Sequence, residues 1–236
     1  MNKKNSDIYL SLNSKNLSIA AFDFIKGDNI YFKEYNCYTN FSKNTFNIEE
    51  LEKNIESYIF DLEKNTNSFL NDLHLMIDSP DSMDISLSLM QNNEGREIQK
   101  EDVKYLIQYA RQQILSSNKD VSIAHIIVEK YIIDDDDFDT FPNNLACKKF
   151  SIDVKFICFP KFLIKRLEEL FSKNQILLNR IICTQYVKAI KNGFFDQNIC
   201  ERGRKLVLGA NKQEVLIIPK SIEKKGFFER LFHLFK

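Results

Sequence analysis

Glycine and proline are scarce in this chain of 236 residues, 6 and 4 in all. That scarcity excludes collagen-like and Gly/Pro-rich low-complexity classes. It also removes the glycine-dependent nucleotide sites, since neither G-x-G-x-x-G nor G-x-x-x-x-G-K-[ST] occurs. Neither G-x-S-x-G nor H-E-x-x-H is present, so the common hydrolase and metalloprotease signatures are missing as well. Neither sign of charge dominates: Lys plus Arg is 33 and Asp plus Glu is 33, which leaves no global basic field for nucleic acid. No apolar run approaches the roughly 18–20 residues that a spanning helix needs. Met1 to Asp7 is polar, without the apolar core of a secretory signal. The five cysteines are odd in number and form no C-x-x-C, and none stands at zinc-ligand spacing from a histidine. Cys158 and Cys183 lie among apolar residues, the pattern of reduced core thiols. A cytoplasmic, reducing environment with at most peripheral membrane contact is therefore expected.

What is present suffices for a folded core. Hydrophobic residues make up 44% and charged residues 28%, which argues against wholesale disorder. Tryptophan is absent while phenylalanine reaches 20. The balanced charge hides a segregation: Arg202 to Lys236 carries nine basic and three acidic residues, so a basic tail follows an acidic body.

The chain opens as a meander. Ile8, Leu10 and Leu12 alternate, Asn13 to Asn16 turns, Leu17 to Phe24 returns, and Ile30 to Tyr38 makes a third strand. Asn47 is placed to cap a helix with Glu49 and Glu50 in its first turn and an apolar stripe from Ile48 to Leu62. Leu73 to Ile77 is a strand. A second unit begins at Met83 with alternating Ile85, Leu87 and Leu89, then a turn over Gln91 to Arg96. A helix from about Lys100, a long strand Val121 to Ile133, a strand Phe150 to Phe159 and a helix through Phe162 and Phe171 follow. Ile176 to Cys183 resumes strand character and Gln185 to Ile190 is helical; Phe194 to Arg204 fits no single pattern. Leu206 to Ile218 reads as a hairpin turning at Gly209 to Lys212 and ended by Pro219.

Few residues invite chemistry. Asp134 to Asp137 with Asp139 lack the alternation, glycine and distal glutamate of a calcium loop, so a solvated acidic loop is expected and no metal. His74 and His125 sit inside apolar strand patterns, where a lone histidine is a packing or edge residue more often than an acid–base catalyst. Ser79 and Ser82, near Asp78 and Asp81, have the composition of a turn. No catalytic residue emerges.

The last eleven residues differ from the rest. Phe228, Leu231, Phe232 and Phe235 fall on one helical face, widened by Phe227 and Leu234, with Glu229, Arg230, His233 and Lys236 opposite and Lys220, Lys224 and Lys225 just before. An aromatic apolar face beside basic residues describes an interfacial membrane helix. Each buried ring or leucine is worth roughly 1.5–3 kcal/mol, and each nearby cation about 1 kcal/mol on an anionic leaflet. The other reading is a terminal helix docked on the protein's own core.

In this order the elements resemble the FtsA family, the actin-like bacterial cell-division proteins that tether the division ring to the inner membrane. Residues 1–82 and 174–219 resemble an incomplete 1A subdomain. Residues 83–173 look like the inserted 1C, SHS2-type subdomain, most recognisably Glu101-Asp102-Val103-Lys104-Tyr105-Leu106-Ile107 and His125-Ile126-Ile127-Val128. Residues 220–236 look like the basic linker and membrane-targeting helix. The fold so implied is α/β: a partial actin-like (ribonuclease-H-like) lobe with an inserted small α+β unit and a C-terminal amphipathic helix. The family's first phosphate turn contains glycine, whereas here it is Asn13-Ser14-Lys15-Asn16. At the second, Leu206-Val207-Leu208-Gly209-Ala210-Asn211, Val207 stands where an aspartate is expected. Only 18 residues follow Ile218, which leaves no room for a second lobe.

The resemblance therefore implies a scaffold without ATPase activity and without a bound cofactor, attached to the cytoplasmic face of the inner membrane. Its partners would be lipid, cell-division proteins and further copies of itself; binding to FtsZ is weakened by the missing lobe. Two alternatives stand beside it: an ATP-binding protein of the actin/Hsp70 superfamily, and an actin-like component of type IV pilus assembly.

Overall fold

The computed structural model describes residues 6–36, 47–142, 144–190 and 197–215. Two sheets organise them. The first has five strands: β1 (Ser6–Leu12), β2 (Asn16–Asp23), β3 (Asn29–Asn36), β4 (Asp72–Ile77) and β9 (Leu177–Cys183). Their order is β3-β2-β1-β4-β9. The meander pairs antiparallel, then β4 and β9 add in parallel. Parallel neighbours require crossovers, and those crossovers supply covering layers.

On one face, Ile8, Leu10, Leu12, Leu17, Ile19, Leu73 and Leu75 pack against Leu51, Ile55 and Leu62 of α1 (Ile48–Thr66) and Leu167, Leu170 and Phe171 of α3 (Lys161–Lys173). On the other, Tyr9, Ala20 and Phe22 meet Cys200 of α5 (Ile199–Val207). Beside them Met76 and Ile182 meet Val187 of α4 (Thr184–Ala189) and Leu206. Burial on both faces explains why β1 and β2 read as nearly unbroken apolar strands, whereas the edge strand β3 is mostly exposed. Asn47 caps α1 as its position predicts, its Oδ1 accepting from the N–H groups of Glu49 and Glu50 at 3.0 and 3.2 Å.

The second sheet is antiparallel, in the order β5-β8-β6-β7. Its strands are β5 (Met83–Asn92), β6 (Val121–Ile133), β7 (Asp136–Phe138) and β8 (Lys149–Pro160), and α2 (Lys100–Ser117) lies on one face. Val103, Leu106, Ala110 and Ile114 of α2 pack on Ile126, Val128, Ile152, Val154 and Phe156. Asp102 reaches back to the Gln99 N–H at 2.9 Å and closes the first turn of this helix. The sheets meet where Ile127, Ile157 and Phe159 enter the core of the first.

The expected α/β class is the one observed: a five-stranded mixed sheet with helices on both faces, carrying a smaller unit of one helix on an antiparallel sheet. The expected C-terminal amphipathic helix lies outside the described residues. Four sequence readings are corrected. Helix α3, expected with the inserted unit, packs on the five-stranded sheet, and Lys173–Glu52 (2.7 Å) and Arg166–Glu49 (3.4 Å) tie it to α1. The expected hairpin from Leu206 begins instead as the last turn of α5, because Gly209 at φ +87° ends a helix and its N–H bonds back to Leu206. The acidic stretch is a hairpin: Asp134 and Asp135 take positive φ, and Asp136–Phe138 pairs back on β6. The expected turn at Gln91 begins only after Asn92.

Candidate functional site

Two places concentrate polar groups: the end of the first sheet where the phosphate turn was expected, and the junction of the two sheets.

The turn between β1 and β2 closes on itself. Asn13 Oδ1 accepts from the N–H groups of Lys15 (2.8 Å) and Asn16 (2.9 Å), and the Asn13 N–H donates to Asn16 O (3.1 Å). The Asn13 carboxamide also donates to Asn16 Oδ1. Phosphate cradles work by presenting unpaired backbone N–H groups to the anion; here a side chain has taken two of them. Beside the turn, Asp78 at the end of β4 accepts from Lys188 (2.7 Å) and Gln185 (3.3 Å). Asp81 N–H bonds to Ser79 Oγ at 3.2 Å, the turn chemistry expected of that pair. The segment expected as a second phosphate hairpin starts as the C-terminus of α5. The Asn13–Asn16 turn, with its Lys15 and Asn16 N–H groups already bonded, does not fit a bound phosphate.

The junction was not foreseen. His125 on β6 is 1% exposed and joins three segments. Its Nε2 accepts from the Cys183 backbone N–H at 2.8 Å, which places the ring proton on Nδ1, donated to Glu214 Oε1 at 2.6 Å. The same oxygen accepts from Arg180 of β9. Tyr186 lies against the ring with centroids 4.7 Å apart, and its hydroxyl accepts from Asn211 at 2.6 Å. Burial pushes the His125 imidazole below its ordinary range despite the opposing pull of Glu214. Burial raises the Cys183 thiol, against the N–H groups of Tyr186 and Gln185. With both ring nitrogens engaged and the thiol held protonated, the cluster acts as a fastener between the sheets and the segment that carries Glu214. The sequence offers His125 only as a lone histidine in an apolar strand, and Glu214 lies 89 positions away with no local signal to join them.

His74 is packed, as expected, stacking on Tyr9 at 4.8 Å and facing Asp7 at 3.4 Å. Cys147, Cys158, Cys183 and Cys200 are free and buried, and burial raises Cys158 to about 11. Among the described residues no cluster of metal-ligating side chains occurs, and no helix is long and apolar enough to cross a membrane. The membrane-binding candidates Lys224, Lys225, Phe227, Phe228, Arg230, Leu231, Phe232, Leu234 and Phe235 lie outside the described residues. An apolar patch is exposed at the far end of the first sheet, where Phe24, Ile25, Ile30 and Phe32 face solvent.

No family model matches the chain, and no curated protein matches it. Solved structures do. A PilM–PilN type IV pilus biogenesis complex superposes with a TM-score of 0.50 at 4% identity, covering 77% of this chain and 48% of that one. The cytoplasmic domain of EpsL, an inner-membrane component of the type II secretion system of Vibrio cholerae, gives 0.39 at 10% identity over 77% of this chain and 58% of that one. A Bacteroides thetaiotaomicron protein with an actin-like ATPase fold gives 0.34 at 14% identity over 78% and 54%. The chain thus spans about half the length of the PilM–PilN chain whose fold it shares.

Proposed function

We propose that this chain is a non-catalytic actin-like scaffold that docks a protein partner in a membrane-associated assembly of the pilus-biogenesis type. The observation that carries the non-catalytic part is the Asn13 side chain, which occupies the N–H groups a phosphate would need. The closed Asp78–Lys188 pair beside the turn supports it. The assembly class rests on the fold shared with the PilM–PilN complex over 77% of this chain.

The division-scaffold reading is second. Its support is the tail pattern Gly226-Phe227-Phe228-Glu229-Arg230-Leu231-Phe232, which suits a lipid surface and matches the FtsA family. In that reading the chain is peripheral on the inner membrane and recruits division proteins.

One binding experiment separates the two. The full chain is offered immobilised cytoplasmic segments of a PilN-type membrane protein and, separately, FtsZ polymer. Retention by the first alone is expected; retention by FtsZ alone replaces the pilus reading with the division reading. Titration calorimetry with Mg-ATP is expected to give no saturable heat, and micromolar saturation would revive the nucleotide-binding alternative.

A further inference from the structure

The first sheet has a second end, opposite the Asn13–Asn16 turn, where β4 and β9 begin side by side at Asp72 and Leu177. Helix α1 ends near it at Thr66, and α3 leads into β9 from Lys173. A groove of about 470 Å³ is formed there by α1, by the chain entering β4 and by the chain leaving α3. One wall is a stripe of α1, in which Glu56, Ile59, Phe60 and Glu63 stand at i, i+3, i+4 and i+7. Phe69 and Leu70 close it on the side of β4, and Asn71, Asn174 and Gln175 add uncharged polar groups.

The apolar groups of this groove are left to water. Phe60 is 67% exposed and Phe69 is 79% exposed. Leu177, whose N–H donates to Asn71 O at 2.8 Å, is exposed beside them. One exposed ring is ordinary on a protein surface, whereas two in a single concavity have the composition of a contact site. The charge of the groove has one sign: Glu56 and Glu63 line it, with no lysine or arginine among its described lining residues. Elsewhere on α1, Glu49 pairs with Arg166, Glu52 with Lys173 and Asp61 with Lys33. Among the described residues no such cation meets Glu56 or Glu63. Glu63 Oε1 accepts the Leu70 N–H at 2.8 Å, which holds that carboxylate at the groove. The last-turn lysines, Lys64 of α1 and Lys173 of α3, do not line it, and Lys173 is engaged by Glu52 at 2.7 Å.

We propose that this groove docks a basic segment of a partner protein, which sets a lysine or arginine between Glu56 and Glu63 and an apolar side chain against Phe60 and Phe69. The stripe suits such a ligand, because carboxylates flank Phe60 on the helix and a cation can meet them while lying on the ring face. The C-terminal ends of α1 and α3 lend the same sign of potential. An acidic segment would meet that field unfavourably and is refused. The site lies at the far end of the sheet from the Asn13–Asn16 turn, and the inference holds under the pilus and division readings alike.

A fluorescent synthetic peptide, lysine and leucine alternating about a central phenylalanine, tests this on the full chain beside a counterpart with glutamate for lysine. A saturable polarisation change is expected with the first and none with the second, and affinity should fall as salt is raised. Glu56→Gln/Glu63→Gln, which keeps an oxygen for the Leu70 N–H, should weaken binding at least about tenfold. Phe60→Ser/Phe69→Ser should do the same, and since both rings are exposed its Tm should match the wild type. Hydrogen exchange slowed by the peptide should fall on residues 67–71 and 174–177. Absence of saturable binding, equal binding of the glutamate peptide, or wild-type affinity in both variants overturns the proposal. So does protection of 67–71 in the free chain that Phe60→Ser/Phe69→Ser abolishes: the chain itself then covers the groove, or a second copy does if the protection grows with protein concentration.

Discussion

Replacing His125 with leucine tests the junction most directly. Leucine fills much the same volume but has no nitrogen, so two groups lose their partner at once. The Cys183 N–H, which donates to Nε2 at 2.8 Å, is left buried without that acceptor. A buried donor without an acceptor costs about 1–3 kcal/mol. Glu214 loses the bond from Nδ1 at 2.6 Å but keeps Arg180, so only part of a charge-assisted bond, about 1–2 kcal/mol, is lost there. The apolar gain from leucine offsets some of this, and a net loss of about 3 kcal/mol is expected for His125→Leu. For a chain of this size that is a fall in Tm of roughly 10 °C. Glu214→Gln, which retains an oxygen to accept from His125, should cost less. A double-mutant cycle between the positions should show coupling above about 0.5 kcal/mol. Urea titration of the three variants measures all of this. A loss under about 1 kcal/mol for His125→Leu would refute the view that the imidazole fastens the sheets together.

The fold holds His125 neutral, whereas the unfolded chain takes up a proton near the ordinary value of 6.5. The unfolded state therefore binds more protons in acid, and stability should decline as pH falls below that value while changing little above it. His125→Leu should flatten this dependence, which thermal melts across pH 5 to 8 (about one unit either side of the relevant range) would read. Gly203→Ala would set a methyl 2.5 Å from Met76 Sδ, a side chain with no exposure, and should cost about 1–3 kcal/mol in urea unfolding despite alanine's better helix propensity. Asn47→Ala should cost about 1 kcal/mol through the lost cap of α1, with faster exchange confined to its first turn.

Much of the fold was legible because local physics and burial agree. The alternation of Ile85, Leu87 and Leu89 survives in a strand with one exposed side, and Asn47 with Glu49 and Glu50 marks a helix start wherever it occurs. Helix α5 was missed because Gly203 interrupts its pattern and Leu206-Val207-Leu208 looks like a strand. Its start was nonetheless written at Asn198, whose side chain accepts from the Glu201 N–H at 2.9 Å, three residues on. The turn between the first two strands was located correctly as the sequence Asn13 to Asn16. That Asn13 itself closes it became visible only with the bond geometry in hand. The junction was illegible for a different reason: His125, Arg180 and Glu214 come from three distant segments, and no periodicity encodes a meeting of that kind.

The placement of α3 bears on how such a protein can be rebuilt or can diverge. Its residues Leu167, Leu170 and Phe171 form a wall of the first sheet's interior, even though the helix follows directly after β8. A transplant cut at 83 and 173 would carry that wall away and leave Leu10, Leu75 and their neighbours facing water. A transplant cut at 83 and 160 would leave the donor interior roofed. Swaps between related scaffolds, natural or engineered, should therefore succeed at the second pair of boundaries and yield insoluble protein at the first.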